Sequence, residues 1–177
     1  GQFKKTAYEV ASYAKGVADM LGTDVTAVSF NAQSAGDLGK YGVSKVLKVN
    51  NEKLQKFNAK AYADAIKQAA EKEESKVIIL SQSANAKYLA PLLAVQLEAG
   101  YASNVVALPE GTEPLQVKRT AFTNKAFSFT KLSTDVKIIG LSKNAFGLKE
   151  NQSEVTEEDF SPSLAEGDRS EEHTSEL

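Results

Sequence analysis

The segment Lys76–Ser81, KVIILS, restricts the possible folds of this chain more than any other. Val, Ile, Ile and Leu in succession leave no polar face for water. The segment therefore reads as a strand covered on both faces, the setting a parallel sheet provides. Helical patterns flank it. Asn58 is placed to cap a helix running to about Glu74, with Tyr62, Ala65, Ile66 and Ala69 on one face. Ala86–Ala99 reads as a second helix, with Pro91 near its start and Gly100 as its stop.

The same alternation runs through the preceding residues. Phe3, Ala7, Val10, Ala14, Val17 and Leu21 recur at helical spacing, and Gly22 follows as a stop. Asp24–Phe30 is β-branched and alternating, Ser34–Tyr41 predicts a short helix broken by Gly42, and Val43–Val49 predicts a strand. Ser103–Leu108 predicts another strand, closed by Pro109-Glu110-Gly111. Alternating helices and strands predict a doubly wound, mostly parallel α/β sheet with right-handed crossovers. Such a unit ordinarily starts with a strand, so the expectation is that an N-terminal strand is missing; a naturally helix-first domain is the other reading.

After Pro114 the pattern changes. Leu115–Ala121 and Ala126–Leu132 predict a C-terminal β-hairpin across the turn 122–125, and Val136–Leu141 a last strand. Residues 1–149 are thus expected to form one α/β domain. Residues 150–168, rich in Glu, Ser and Asp with few apolar anchors, read as an acidic linker. Arg169–Leu177, RSEEHTSEL, resembles the in-frame translation of a common sequencing-library adapter, and is expected not to be biological.

Composition removes several functions. The 177 residues carry a formal net charge of -2, so no electrostatic case for nucleic acid arises. There is no cysteine, hence no disulfide, thiolate metal site or cysteine nucleophile. The single histidine, His173, lies in the polar tail, against a histidine-based triad or multi-histidine metal site. No apolar run is long enough to span a bilayer and no secretory signal is present, so a cytoplasmic, bacterial-type setting is expected.

No catalytic residue is expected. No glycine-rich phosphate loop occurs. The nearest nucleotide-site candidates are Ser81, Ser83, Asn85 and Lys87, at a strand-to-helix turn where α/β sheets bind ligands. Helix capping by Ser83 or Asn85 is the plainer reading, and Lys87 reads as a solvated helix lysine. Glu71, Glu73 and Glu74 sit among lysines at a helix end and read as a solvated terminus, and Asp135 as a turn residue. Arg119 is the only arginine ahead of the tail; its planar fork suits an interface or hairpin role as well as an ordinary strand face. Phe122, Phe127 and Phe129 read as core or interface packing.

Two segments carry a family resemblance. Lys87–Ala94, KYLAPLLA, looks like a helix with an Ala-Pro step, and Val117–Ala126, VKRTAFTNKA, lies where the family commonly shows Arg-Pro, an apolar residue, Tyr and Ala-Gly-Asn. With these, nearly the whole body resembles the N-terminal domain of the alpha subunit of electron-transferring flavoproteins. Leu92, Thr120, Phe122 and Asn124-Lys125 depart from the family pattern. The resemblance implies an adenine-nucleotide-binding hydrolase-like fold and a heterodimer with a beta subunit of similar fold. It implies an FAD-dependent carrier of electrons from dehydrogenases, acyl-CoA dehydrogenases among them and hence fatty acid beta-oxidation, to a quinone oxidoreductase. FAD is implied mainly in a C-terminal domain beyond this chain, and AMP in the beta subunit. Arg119, Phe122 and Asn124 then become interface or hairpin residues. The alternative is a stand-alone adenine-nucleotide-binding module related to universal stress proteins.

Overall fold

A computed structural model describes residues 5–32, 35–121 and 125–164. Helix α1, Lys5–Leu21, leads into strand β1, Thr26–Phe30, and a short 3-10 turn at Gly36–Lys40 precedes β2, Lys45–Val49. Helix α2, Ala59–Glu73, starts at Asn58, whose side chain accepts the Ala61 N–H at 3.0 Å. Then come β3, Val77–Ser81, helix α3, Ala86–Leu97, and β4, Gly100–Val105. The short β5, Gly111–Thr112, precedes the hairpin of β6, Leu115–Ala121, and β7, Ala126–Leu132. Strands β8, Lys137–Leu141, and β9, Thr156–Asp159, complete the order.

The fold is a doubly wound, mostly parallel α/β architecture with a C-terminal antiparallel hairpin. Its strands form two sheets. One is parallel, in the order β1-β2-β9; the other runs β3-β8-β4-β6-β5, with β7 paired to β6. Helices α1 and α2 cover both sheets, one on each face. Tyr13 and Val17 of α1 pack with Val77 and Ile79 of β3, while Ala11 and Ala18 pack with Ala27 of β1. On the other face Ala63 and Ile66 of α2 meet Ile78 and Leu80 of β3, and Ala61 and Ala65 meet Val28 of β1. Helical periodicity puts neighbouring residues of one helix over neighbouring strands, which is how a single helix serves two sheets.

Three expectations need correction. The strand in KVIILS has apolar packing on both faces, yet all five residues of β3 are only half-buried, whereas Ile138–Leu141 of neighbouring β8 are fully buried. Among the described strands β3 pairs only with β8, so its other edge is open. The strand expected at Ser103–Leu108 begins earlier, at Gly100. Helix α3 ends in left-handed Glu98 (φ 51°), and Gly100 belongs to the sheet, paired with Lys137, where a Cβ would lie 2.9 Å from Thr134 Oγ1. Finally, residues 150–164 are not an irregular linker. β9 pairs in parallel with β2, and Phe160 and Leu164 pack against Val49, Leu54 and Ala61.

Candidate functional site

Where β3 gives way to α3, an open cavity of about 530 Å³ lies at the carboxyl ends of β3 and β4. Ligands bind α/β sheets at such edges, because the strand-to-helix loops leave the backbone there unpaired. Gln82, Ser83, Ala84, Lys87, Tyr101, Ser103 and Asn104 line it.

The wall is built around Gln82. Its backbone N–H continues the ladder to Leu141 O at 2.8 Å. Its side-chain Oε1 accepts the Asn104 N–H at 3.1 Å and the Tyr101 hydroxyl at 3.2 Å. Gly140 lies behind this amide, and a Cβ at 140 would collide with it. Asn104 has a left-handed backbone (φ 57°), and the β4–β8 register shifts between Ala102 and Val105. This bulge turns Ser103 and Asn104 toward the cavity.

Arg119 braces the bulge from β6. Its Nε donates to Ser103 O at 2.6 Å, one terminal nitrogen to Ser103 Oγ at 2.9 Å, and the other to Thr130 Oγ1 at 3.3 Å. One planar guanidinium thus ties β4, β6 and β7 together, which a single-point ammonium cannot do.

Of the four nucleotide-site candidates, Ser83 and Lys87 line the cavity, while Ser81 ends β3 and Asn85 precedes α3 outside the lining. Ser83 Oγ accepts the Ala86 N–H at 3.3 Å and so caps α3; the Asn85 side chain makes no cap bond. Lys87 is the one charged residue in the lining. Phe122 and Asn124, like His173 and the 169–177 tail, lie outside the described residues. Phe127 and Phe129 are exposed on β7, at 59% and 52%. Glu73 is no free carboxylate: it pairs with Lys45 at 2.9 Å, holding the end of α2 to β2. Asp135 pairs with Lys76 at 2.9 Å, which holds its carboxyl below the ordinary range. Gln82 lies in the strand-to-helix turn that the sequence singled out, while Tyr101, Ser103 and Asn104 escaped the reading; an asparagine inside a strand pattern was the available signal, since Asn tolerates a left-handed backbone.

Among the described residues no three His, Cys, Asp or Glu side chains gather to hold a metal, and no helix is long and apolar enough to cross a membrane. The cavity does not fit FAD. An isoalloxazine ring requires a flat, largely apolar slot, and only Ala84 and the ring of Tyr101 offer such surface here. Most of the lining side chains are polar, and the Gln82 amide oxygen is already committed to Tyr101 and Asn104.

Comparison with known proteins identifies the fold's relatives. The electron transfer flavoprotein domain matches residues 1–163. The electron transfer flavoprotein subunit alpha of Bacillus subtilis (strain 168) is 29% identical over 134 residues, covering 75% of this chain and 39% of that protein. Protein FixB of Clostridium saccharobutylicum is 26% identical over 69% of this chain and 38% of its own length. The lactate dehydrogenase (NAD(+),ferredoxin) subunit LctC of Acetobacterium woodii is 25% identical over 67% of this chain and 29% of its own. The chain thus spans under two-fifths of the length of each relative. With the domain match covering the hairpin, the closing strand β8 and β9, the chain belongs to the electron transfer flavoprotein family, as an alpha-subunit N-terminal domain.

Proposed function

We propose that this chain is the scaffold and heterodimerisation domain of an FAD-dependent electron carrier. The carrier takes electrons from dehydrogenases, such as acyl-CoA dehydrogenases, and passes them to a quinone oxidoreductase. The observation that carries this reading is the flavoprotein domain match over residues 1–163, on a body whose cavity does not suit a flavin. FAD then belongs to a C-terminal domain that follows residue 168, and AMP to the beta subunit. FAD supplies the redox chemistry when bound; the residues described here position it from a distance by holding the subunits together. The domain is a carrier component rather than a catalyst in its own right. The LctC relative favours a second setting, in which the same scaffold serves inside a larger dehydrogenase complex.

Phe127 and Phe129 support a docking role for the hairpin. Both are exposed on one face of β7, and Lys118 stacks over the Phe127 ring at 4.1 Å. Rigid aromatic side chains of this kind anchor interfaces at low entropic cost. Their support comes from Arg119 behind them. The test is co-purification of the full-length protein with its beta subunit. Phe127→Asp together with Phe129→Asp is expected to weaken the heterodimer at least about tenfold while leaving the circular dichroism unchanged. A full-length wild-type protein that forms no complex with the beta subunit overturns the reading.

A further inference from the structure

The groups lining the cavity between the β3–α3 turn and the β4 bulge are unbalanced. Most of their acceptors are taken. Gln82 Oε1 receives the Tyr101 hydroxyl and the Asn104 N–H, and Ser83 Oγ receives the Ala86 N–H. Ser103 O and Ser103 Oγ both receive Arg119. The donors are left over. Among the described residues the Gln82 side-chain NH2 and the Lys87 ammonium have no hydrogen-bond partner. The Ser83 and Ser103 hydroxyls are engaged as acceptors, and each keeps its own proton to donate. Two bonds on Oε1 already fix the plane of the Gln82 amide, so its NH2 is held in place before any ligand arrives. Asn104 adds an amide that can offer either end.

Charge is unbalanced in the same sense. No Asp or Glu lines the cavity, and Lys87 forms no ion pair among the described residues. Arg119 forms none either: its three bonds all end on neutral oxygens of Ser103 and Thr130. It is half-buried, and a guanidinium drawn partly out of water ordinarily takes a carboxylate or another anion as partner. Ser103 lines the cavity and also receives Arg119, so this second positive charge lies one side chain behind the wall. The two cations come from different elements, Lys87 from α3 and Arg119 from β6. A neutral ligand would leave both uncompensated.

We propose that the cavity binds a small oxyanion, a phosphoryl or carboxylate group presenting acceptors and negative charge. Lys87 supplies the direct charge contact. The Gln82 NH2 and the Ser83 and Ser103 hydroxyls supply hydrogen bonds, and Arg119 supplies a positive field through Ser103. Bonds from a cation to an oxyanion are roughly twice as strong as neutral ones, so Lys87 dominates the affinity. The mouth is open to solvent, and binding is accordingly about millimolar and weakens with added salt. No nucleoside is required, since recognition rests on the anion alone. The proposal is independent of the electron-carrier reading.

Selective glutamine labelling with nitrogen-15 tests it, because the Gln82 NH2 then reports on this cavity alone. The full-length protein, with its beta subunit where the two form a complex and by itself where they do not, is titrated with inorganic phosphate and separately with succinate. The Gln82 signal is the one missing from Gln82→Ala. It should shift saturably with phosphate, with succinate or with both, and stay in place with sodium chloride at matched ionic strength. A response to phosphate alone identifies a phosphoryl ligand, one to succinate alone a carboxylate, and one to both a site that reads charge. Lys87→Met should weaken the affinity about tenfold, and Lys87→Arg should retain it. Lys87 is exposed and makes no contact that folding needs, and unchanged circular dichroism of both variants checks this. Three results overturn the proposal: no saturable shift with either anion up to about 50 mM, a shift that sodium chloride reproduces, or a shift of equal affinity in Lys87→Met.

Discussion

Glu9 shows how a single charge organises this domain. It is 3% exposed on α1, and its carboxylate accepts three backbone N–H groups from 144 to 147 at 2.7–3.0 Å. The carboxylate acts as a cap for a loop far away in sequence, while Ser12 beside it accepts from the Lys149 N–H. Glu9→Ala leaves three donors with no acceptor and should cost about 3 kcal/mol, read by urea denaturation. Arg119→Lys keeps the charge but loses the fork that grips Ser103, and should cost about 1–2 kcal/mol with β4 amides exchanging faster. Tyr13 is fully buried with its hydroxyl on Ala107 O at 2.9 Å, and burial pushes its phenol well above the ordinary range. Asp135 is the opposite case: Lys76 holds its carboxyl low. A depressed carboxyl contributes stability above its unfolded-state pKa and loses it as pH falls through the folded value. Stability should therefore drop slightly below about pH 4, and Asp135→Asn should flatten that part of the urea-midpoint profile. Both partners are exposed, so the effect is small.

The helices and most strands were legible because their side chains repeat with the period of the element. Asn58 and Gly22 announced ends that the backbone takes up: Asn58 caps α2, and Gly22 has a positive φ of 69° after α1. What was hidden depended on partners distant in sequence. β9 has no apolar alternation at all, only Thr-Glu-Glu-Asp. It forms because Lys48 meets Glu157 at 3.6 Å, Lys72 meets Glu158 at 3.2 Å, and β2 offers an edge. Acidic residues in a row read as solvated chain until the basic strand opposite is known. Gly100 was ambiguous for a similar reason: a glycine ends helices, and it also admits a close neighbour, here Thr134. Gln82 carried no pattern, since its role rests on a bulge in β4. Truncation after Glu150 should strip the edge of β2, lower the thermal midpoint by several degrees and make the rest more prone to associate, a change measurable by light scattering.

At the scale of the molecule, the domain supplies shape and surfaces. Two sheets lie under shared helices, and the hairpin presents exposed aromatics braced by Arg119. The cavity at Gln82 is polar, and its one cation belongs to a capped helix. This arrangement fits a scaffold whose partner and flavin lie in other parts of the assembly. Flavin content per complex tests that claim most directly. The full-length protein and residues 1–168 should each be co-purified with the beta subunit and their visible flavin absorbance compared. The account predicts a heterodimer in both cases and about one FAD in the full-length complex, with that FAD lost when only residues 1–168 are present. Retention of that FAD by the 1–168 complex would place the flavin site outside the segment that follows residue 168 and contradict the account.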